Sequence, residues 1–261
     1  MRIFLNWGTA VFSATLVGAL SLCAPALAGQ GARDHAAAPE HKVTHSTSTN
    51  WSGYAVQGAG TYQRVSASWT QPAAECAKTP RGWSAFWVGL DGDTTSTVEQ
   101  TGTEADCSSG KPLYYGWYEM YPKYPVNFAN VVAPKDHLEA SVTYLGGGAF
   151  RLTLSDTTQH WSQTTTQRLK SAKLGSAEVI AEAPSSNHGP NGELGLADFG
   201  AVSFTGATVN NTPLDSQADQ ITMVQGGTTL AQPSTISGGN FSIDWKAASG
   251  PPSHGRGHGQ G

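Results

Sequence analysis

The sequence predicts an all-β domain of the sandwich or barrel type. Short segments alternate apolar and polar residues with a period of two, for example in 65–69, 138–144 and 177–182. Gly, Pro, Asn and Asp residues stand between these segments, for example at 91–93 and 146–148. No window carries the sustained apolar stripe of an amphipathic helix. Many short strands separated by turn signals are typical of sandwiches and barrels.

The two ends of the chain differ from this pattern. Residues 1–28 have the organisation of an export signal, with an apolar run at 10–22 and a small-x-small cleavage pattern at 26–28. The run is too short for a membrane span, so we expect a secreted, extracellular protein that is not membrane-attached after signal removal. Residues 29–48 predict a linker or short pro-segment. Residues 247–261 are rich in Gly, Pro and His and predict a disordered tail.

Charge and length restrict the class of function. Signal removal takes away one arginine and no acid, so the net charge changes from −4 to −5 over 233 remaining residues. This length allows one large β domain with a substantial core. The chain is not basic enough to bind nucleic acid or an anionic membrane surface. Only 13% of its residues are charged, which suits an acidic medium because few carboxylates must lose their charge there.

Two cysteines remain after signal removal, Cys76 and Cys107. A single cysteine pair in an exported chain predicts a disulfide. This bond would close a loop of about 30 residues and contribute about 3 kcal/mol in the chain-entropy description. Two free thiols are the alternative. We expect no metal site, because no histidine or second cysteine stands at ligand spacing from either cysteine.

The segment 114–121 is the most unusual in composition. Alternation places Tyr115, Trp117, Glu119 and Tyr121 on one face of a strand. A carboxylate among large aromatic side chains fits a binding face for an extended peptide or a sugar. A core strand with one internally hydrogen-bonded glutamate is an equally good interpretation of this segment alone.

Other polar residues are less informative on their own. Glu178, Ile180 and Glu182 share a face, and from composition a solvated edge is favoured over a functional site. Gln100 lies in the segment 98–102, which closes a strand-like run, and it carries almost no functional signal by itself. The chain has no Gly-x-Ser-x-Gly elbow, no His-Glu-x-x-His and no phosphate-binding glycine loop. The carboxylates are therefore the candidates for acid–base chemistry.

Six segments in one order resemble a known family. They are Asn50–Tyr54, Trp87–Gly92, Gln100–Gly102, Trp117–Pro122, Ala177–Glu182 and Ala197–Gly200. Together they resemble the glutamic peptidases, also called eqolisins, over roughly residues 49–246. The resemblance implies an antiparallel two-sheet β-sandwich of lectin or concanavalin type. It also implies an acid endopeptidase that needs no metal or cofactor. We expect it to act as a monomer on protein or peptide substrates.

The resemblance also assigns roles within the site. Gln100 and Glu182 take the catalytic positions. An ionised Glu182 would accept a proton from a water aimed at the scissile carbonyl and later return it to the leaving amine, with no covalent intermediate. Gln100 would hold this water and stabilise the oxyanion. The expected substrate-binding residues are Trp51, Trp117, Glu119 and Tyr121.

The chain departs from the better-known fungal members at several positions. Tyr115 stands where an Asp is common, and Met120 and Val179 stand where a Trp is common. These changes leave the cleavage-site preference and the pH optimum open. Two other functions also stay open. A sandwich glycoside hydrolase could use Glu119 and Glu182 as its carboxyl pair, and a non-catalytic carbohydrate-binding module could use the aromatic residues alone.

Overall fold

A computed structural model describes residues 45–58, 61–93, 95–185, 193–215 and 217–249. The predicted signal peptide, most of the predicted linker and most of the C-terminal tail lie outside these ranges. All of the regular secondary structure in the described residues is β-strand. No helix long and apolar enough to cross a membrane occurs in this part of the chain.

The described residues form strands that follow each other closely along the chain. In chain order they are β1 His45–Ser48, β2 Trp51–Gln57, β3 Arg64–Thr70, β4 Gly82–Leu90, β5 Val98–Asp106, β6 Leu113–Tyr121, β7 Val126–Val131, β8 His137–Gly146, β9 Ala149–Asp156, β10 Trp161–Arg168, β11 Ser176–Glu182, β12 Gly195–Leu196, β13 Ala201–Val209, β14 Thr212–Pro213, β15 Asp219–Gln225, β16 Thr228–Pro233 and β17 Phe241–Trp245.

The strands form two layers. The first layer has the order β1-β15-β2-β11-β4-β5-β6-β7, and the second has the order β16-β17-β13-β3-β8-β9-β10. Strand β16 also pairs with β15, so hydrogen bonding continues from one layer into the other. The pairings are antiparallel except β1–β15 and β12–β4. The predicted fold class, an all-β antiparallel sandwich of lectin type, is confirmed.

The core lies between the two layers. In β4 the side chains of Phe86, Val88 and Leu90 point into it and are fully buried. From the second layer, the Trp69 indole crosses the core and donates a 3.2 Å hydrogen bond to the Thr103 hydroxyl of β5. Full burial of each large apolar side chain stabilises the fold by about 1.5–3 kcal/mol. The two-residue alternation therefore accounts for the layer structure.

Strand β11 corrects one expectation from the sequence. It lies in the interior of the first layer, hydrogen-bonded to β2 on one side and to β4 on the other. Glu178 is fully buried and Glu182 is partly buried, so the solvated edge that the composition of this segment favoured is wrong. Alternation identifies which residues share a face, but a strand's position within a sheet depends on pairings that are distant in sequence.

Two further features concern the ends of the domain and its cross-link. Residues 45–48, which the sequence assigned to the linker, form β1 and pair in parallel with β15. These four strand residues precede the predicted start of the domain at residue 49. Cys76 and Cys107 form a disulfide with their Cα atoms 5.3 Å apart and a sequence separation of 31. It joins the segment before β4 to the end of β5.

Candidate active site

A cleft of about 400 Å³ opens on the face of the first layer that points away from the core. Strands β4, β5, β6 and β11 and the start of β2 contribute side chains to it. The cleft contains all six residues that the sequence singled out for catalysis and substrate binding: Trp51, Gln100, Trp117, Glu119, Tyr121 and Glu182. Residues that are up to 131 positions apart in the chain therefore line one cleft.

Strand register explains how these residues meet. Glu182 of β11 lies opposite Ala85 of β4, and Ala85 lies opposite Glu104 of β5. Four residues before Glu104 on the same strand, Gln100 lies opposite Glu119 of β6. Because side chains two and four residues apart on a strand share a face, Gln100 and Glu104 both point into the cleft. The candidate catalytic amide and carboxyl are therefore on the same sheet face.

The Gln100 side chain is held by a neighbouring acid. Its Nε2 donates a 2.6 Å hydrogen bond to Oε2 of Glu119, and the side chain is only 6% exposed. Its Oε1 has no hydrogen-bond partner among the described residues. A buried amide oxygen without a partner carries a desolvation cost, which a bound water or substrate group would relieve. The second hydrogen of the amide NH₂ is also available to a ligand.

The Glu182 carboxyl accepts a hydrogen bond on each oxygen. Asn50 Nδ2 donates to Oε1 at 3.1 Å, and the Trp87 indole Nε1 donates to Oε2 at 2.7 Å. Trp87 itself packs edge-on against Trp51, with ring centroids 5.0 Å apart. Asn50 lies between β1 and β2 and Trp87 lies in β4, so two donors from different parts of the sheet fix the orientation of the carboxyl in the cleft.

Burial controls the protonation of the cleft acids. It raises the pKa of Glu182 to about 8; hydrogen bonds from Trp51 and Trp87 lower this pKa, and the nearby Glu119 and Glu104 carboxyls raise it further. Burial likewise raises the pKa of Glu104 and of Glu119 to about 7 each. The raised pKa favours the protonated form of Glu182 at acid pH, whereas the sequence predicted the ionised form.

The floor of the cleft is aromatic. Trp87 lies along β4 because two neighbouring positions lack a side chain: a Cβ on Gly89 would lie 2.8 Å from the Trp87 ring, and a Cβ on Gly102 would lie 2.6 Å from Trp87 Cβ. Trp117 is only 5% exposed and packs into this floor, whereas Tyr121 is 49% exposed at the rim. The aromatic floor excludes water from below the carboxyls and is the cause of their raised pKa values.

Three cleft residues were not assigned roles from the sequence. Asn50 stands next to Trp51 in the first of the six segments that resemble the family, and Trp87 begins the second, but neither has a chemical pattern that identifies a hydrogen-bond donor to Glu182. Glu104 could have been found, because alternation along β5 places it on the same face as Gln100.

The geometry separates the three functions that the sequence left open. A glycosidase arrangement would place Gln100 away from the Glu119 and Glu182 carboxyls, yet Gln100 contacts Glu119 directly. A simple carbohydrate-binding module would show no acids beside the aromatic residues, yet three glutamates line this cleft. In the described ranges, no group of three or more His, Cys, Asp or Glu side chains is arranged to hold a metal ion.

The fold and the cleft together define a β-sandwich protein with the Gln100 amide and three carboxyls lining the same cleft. Residues 49–245 match the family profile described as the Peptidase A4 family. Because this match covers most of the chain, the protein belongs to the Peptidase A4 family, the eqolisins, and is a glutamic-type endopeptidase. Its substrates are proteins or peptides.

Solved structures of glutamic peptidases have a similar fold. Scytalido-glutamic peptidase with a transition-state analogue inhibitor superposes with a TM-score of 0.67 and 24% identity, covering 76% of this chain and 98% of that chain. SCP-B, a member of the eqolisin family in complex with the tripeptide Ala-Ile-His, superposes with a TM-score of 0.63 and 23% identity. The match covers 76% of this chain and 98% of that chain. Aspergilloglutamic peptidase from Aspergillus niger superposes with a TM-score of 0.56 and 26% identity. The match covers 63% of this chain and 99% of that chain. No curated protein sequence matches the chain.

Proposed function

We propose that the mature chain is a secreted acid endopeptidase that hydrolyses peptide bonds with a water activated between Gln100 and Glu182. One observation carries the proposal: a partner-free amide oxygen on Gln100 and an oriented carboxyl on Glu182 line the same cleft. The export signal at 1–28 supports secretion. That the enzyme acts as a monomer and that residues 29–48 are a pro-segment remain predictions.

The first chemical step uses Glu182 in its protonated form. One carboxyl oxygen donates its proton to the scissile carbonyl oxygen while the other accepts a proton from the attacking water, whose oxygen bonds to the carbonyl carbon. The product is a tetrahedral diol, and Glu182 again carries one proton. Gln100 Oε1 holds the water, and its amide NH₂ stabilises the negative charge that develops on the carbonyl oxygen.

The second step cleaves the carbon–nitrogen bond. The protonated Glu182 donates to the leaving nitrogen while its other oxygen accepts a proton from one diol hydroxyl, giving a carboxylic acid and a free amine. No covalent bond to the enzyme forms. Because the active form carries a proton, activity is retained at acid pH and lost as the pH rises through the Glu182 pKa of about 8. This assignment replaces the ionised base that the sequence suggested.

The other predicted residues contribute to binding. Glu119 holds the Gln100 amide through the 2.6 Å bond. Trp51 and Trp117 form the apolar floor on which a peptide lies, and Tyr121 at the rim contacts substrate side chains. We propose these as supporting roles, because an extended peptide needs apolar surface as well as a few fixed polar groups.

Digestion of a denatured protein between pH 2 and pH 5 tests the proposal. Glu182→Ala abolishes cleavage, and Gln100→Ala slows it by about 100- to 1000-fold, the usual effect of losing one oxyanion donor. Glu139→Ala and Gln232→Ala, at exposed positions of other strands, serve as matched controls with wild-type activity. Circular dichroism verifies that each variant is folded. Cleavage by folded Glu182→Ala at the wild-type rate contradicts the assignment.

A further inference from the structure

A second acid in the cleft has no part in the mechanism above. Glu104 of β5 lies opposite Tyr115 of β6, and the Tyr115 hydroxyl donates a 2.7 Å hydrogen bond to Glu104 Oε1. The pair therefore has one titrating acid and one fixed donor.

Glu104 lines the cleft and is only partly buried. Its other oxygen, Oε2, has no hydrogen-bond partner among the described residues and is not fully enclosed. Because Tyr115 already donates to Oε1, a proton on this carboxyl belongs on Oε2. The pair therefore presents an O–H donor to whatever occupies the cleft beside it.

Glu104 and Glu182 line the same cleft. Ala85 of β4 stands between Glu104 and Glu182 in the strand register. Its side chain is a single methyl group, which leaves room above it in the cleft. The two glutamates are close enough that Glu104 raises the Glu182 pKa. A peptide backbone crossing over Ala85 would pass directly between the two carboxyls.

We infer that Glu104 is a substrate-positioning residue: its Oε2–H, oriented by the Tyr115 hydroxyl, donates a hydrogen bond to a backbone carbonyl of the bound peptide next to the scissile bond. The inference rests on the proposed function of Glu182. A backbone carbonyl is the partner because every peptide substrate offers one at fixed spacing, whatever its side chains.

The groups around Glu104 give this role a pH dependence. Burial is the main reason that its pKa is raised to about 7; the Tyr115 hydrogen bond opposes the shift, and Asp106 and Glu119 increase it. Glu182 faces it from across Ala85. Below pH 7 Glu104 is a donor; above it the carboxylate repels a carbonyl oxygen, so substrate binding weakens.

Steady-state kinetics on one peptide substrate test the inference. At pH 4, Glu104→Ala raises KM about tenfold, the usual effect of one lost hydrogen bond, and leaves kcat within about twofold. Glu104→Gln keeps an N–H donor, so its KM at pH 4 stays near the wild-type value. Between pH 6 and pH 8 the wild-type KM rises, whereas the KM of Glu104→Gln stays flat. Glu139→Ala is the matched control.

Three results overturn the inference. One is a wild-type KM for folded Glu104→Ala at pH 4. Another is a loss confined to kcat. The third is a KM that rises with pH equally in Glu104→Gln and the wild type. Tyr115→Phe provides a second variant if Glu104→Ala does not fold, with a smaller KM increase expected. If Glu182→Ala is inactive but these variants behave as wild type, only the positioning role falls.

Discussion

Replacement of Glu99 by Gln should change how the stability of the protein depends on pH. Glu99 of β5 is fully buried on the core side, beside the equally buried Asp91. Asp91 accepts three backbone N–H hydrogen bonds from the segment 173–175, at 2.8–3.0 Å. Burial and the Asp91 charge raise the pKa of Glu99 to about 9. The folded protein therefore holds a proton on Glu99 that the unfolded chain releases above its ordinary pKa of 4.5.

The linkage between protonation of Glu99 and folding gives the sign and size of the change in the free energy of unfolding with pH. Because the folded pKa is the higher one, the stabilising contribution of Glu99 is fully present below pH 4.5 and is lost as the pH rises towards 9. The loss is about 1.4 kcal/mol per pH unit inside this window, or about 3 kcal/mol between pH 5 and pH 7.5. Glu99→Gln needs no proton and has an NH₂ group that can donate to Asp91, so it lacks this loss.

Guanidinium unfolding followed by tryptophan fluorescence measures the effect. Both proteins carry Glu182→Ala to prevent self-digestion. We expect Glu99→Gln to be within about 1 kcal/mol of its parent at pH 5 and more stable by about 2–3 kcal/mol at pH 7.5. Glu139→Gln, an exposed control, follows the parent at both pH values. Equal pH dependence of Glu99→Gln and its parent refutes the reasoning.

Three further predictions concern the cross-link, the sheet and the cleft. Replacing both Cys76 and Cys107 by Ala lowers the free energy of unfolding by about 3 kcal/mol; an unchanged denaturation midpoint contradicts this. Gly102→Ala places a Cβ 2.1 Å from a carbonyl oxygen of β4, so the melting temperature falls by several degrees or more, and a wild-type value is the contrary result. Trp87→Phe removes the donor that lowers the Glu182 pKa, so the alkaline limb of the pH–rate profile moves to higher pH; a shift to lower pH opposes the mechanism.

The faces of the strands could be predicted from the sequence because alternation is local. Tyr115, Trp117, Glu119 and Tyr121 do share one face, and the register pairs them along β6 with the cleft-facing residues of β5. The same rule places Gln100 on that face once its strand is recognised. Local periodicity thus predicted which residues share this face, but it left open whether the face lines a cleft or packs in the core.

Register and burial could not be predicted in this way. The contacts of Gln100 with Glu119 and of Glu104 with Tyr115 depend on how β5 aligns with β6, and alignment is a property of the folded sheet. The pKa of Glu182 depends on side chains from four other strands. Composition therefore suggested a solvated acid, although the surrounding tryptophans make it a buried one.

The rate of Glu182→Gln on one peptide substrate at pH 3–5 tests the central claim most directly. This substitution keeps the size and shape of the side chain but removes the proton transfer on which both chemical steps depend. With a folded variant and the wild type at equal concentration, we predict a turnover at least 100-fold slower than wild type, the usual effect of losing general acid–base catalysis. A rate within tenfold of wild type would show that another group transfers the proton, and the catalytic role of Glu182 would be wrong.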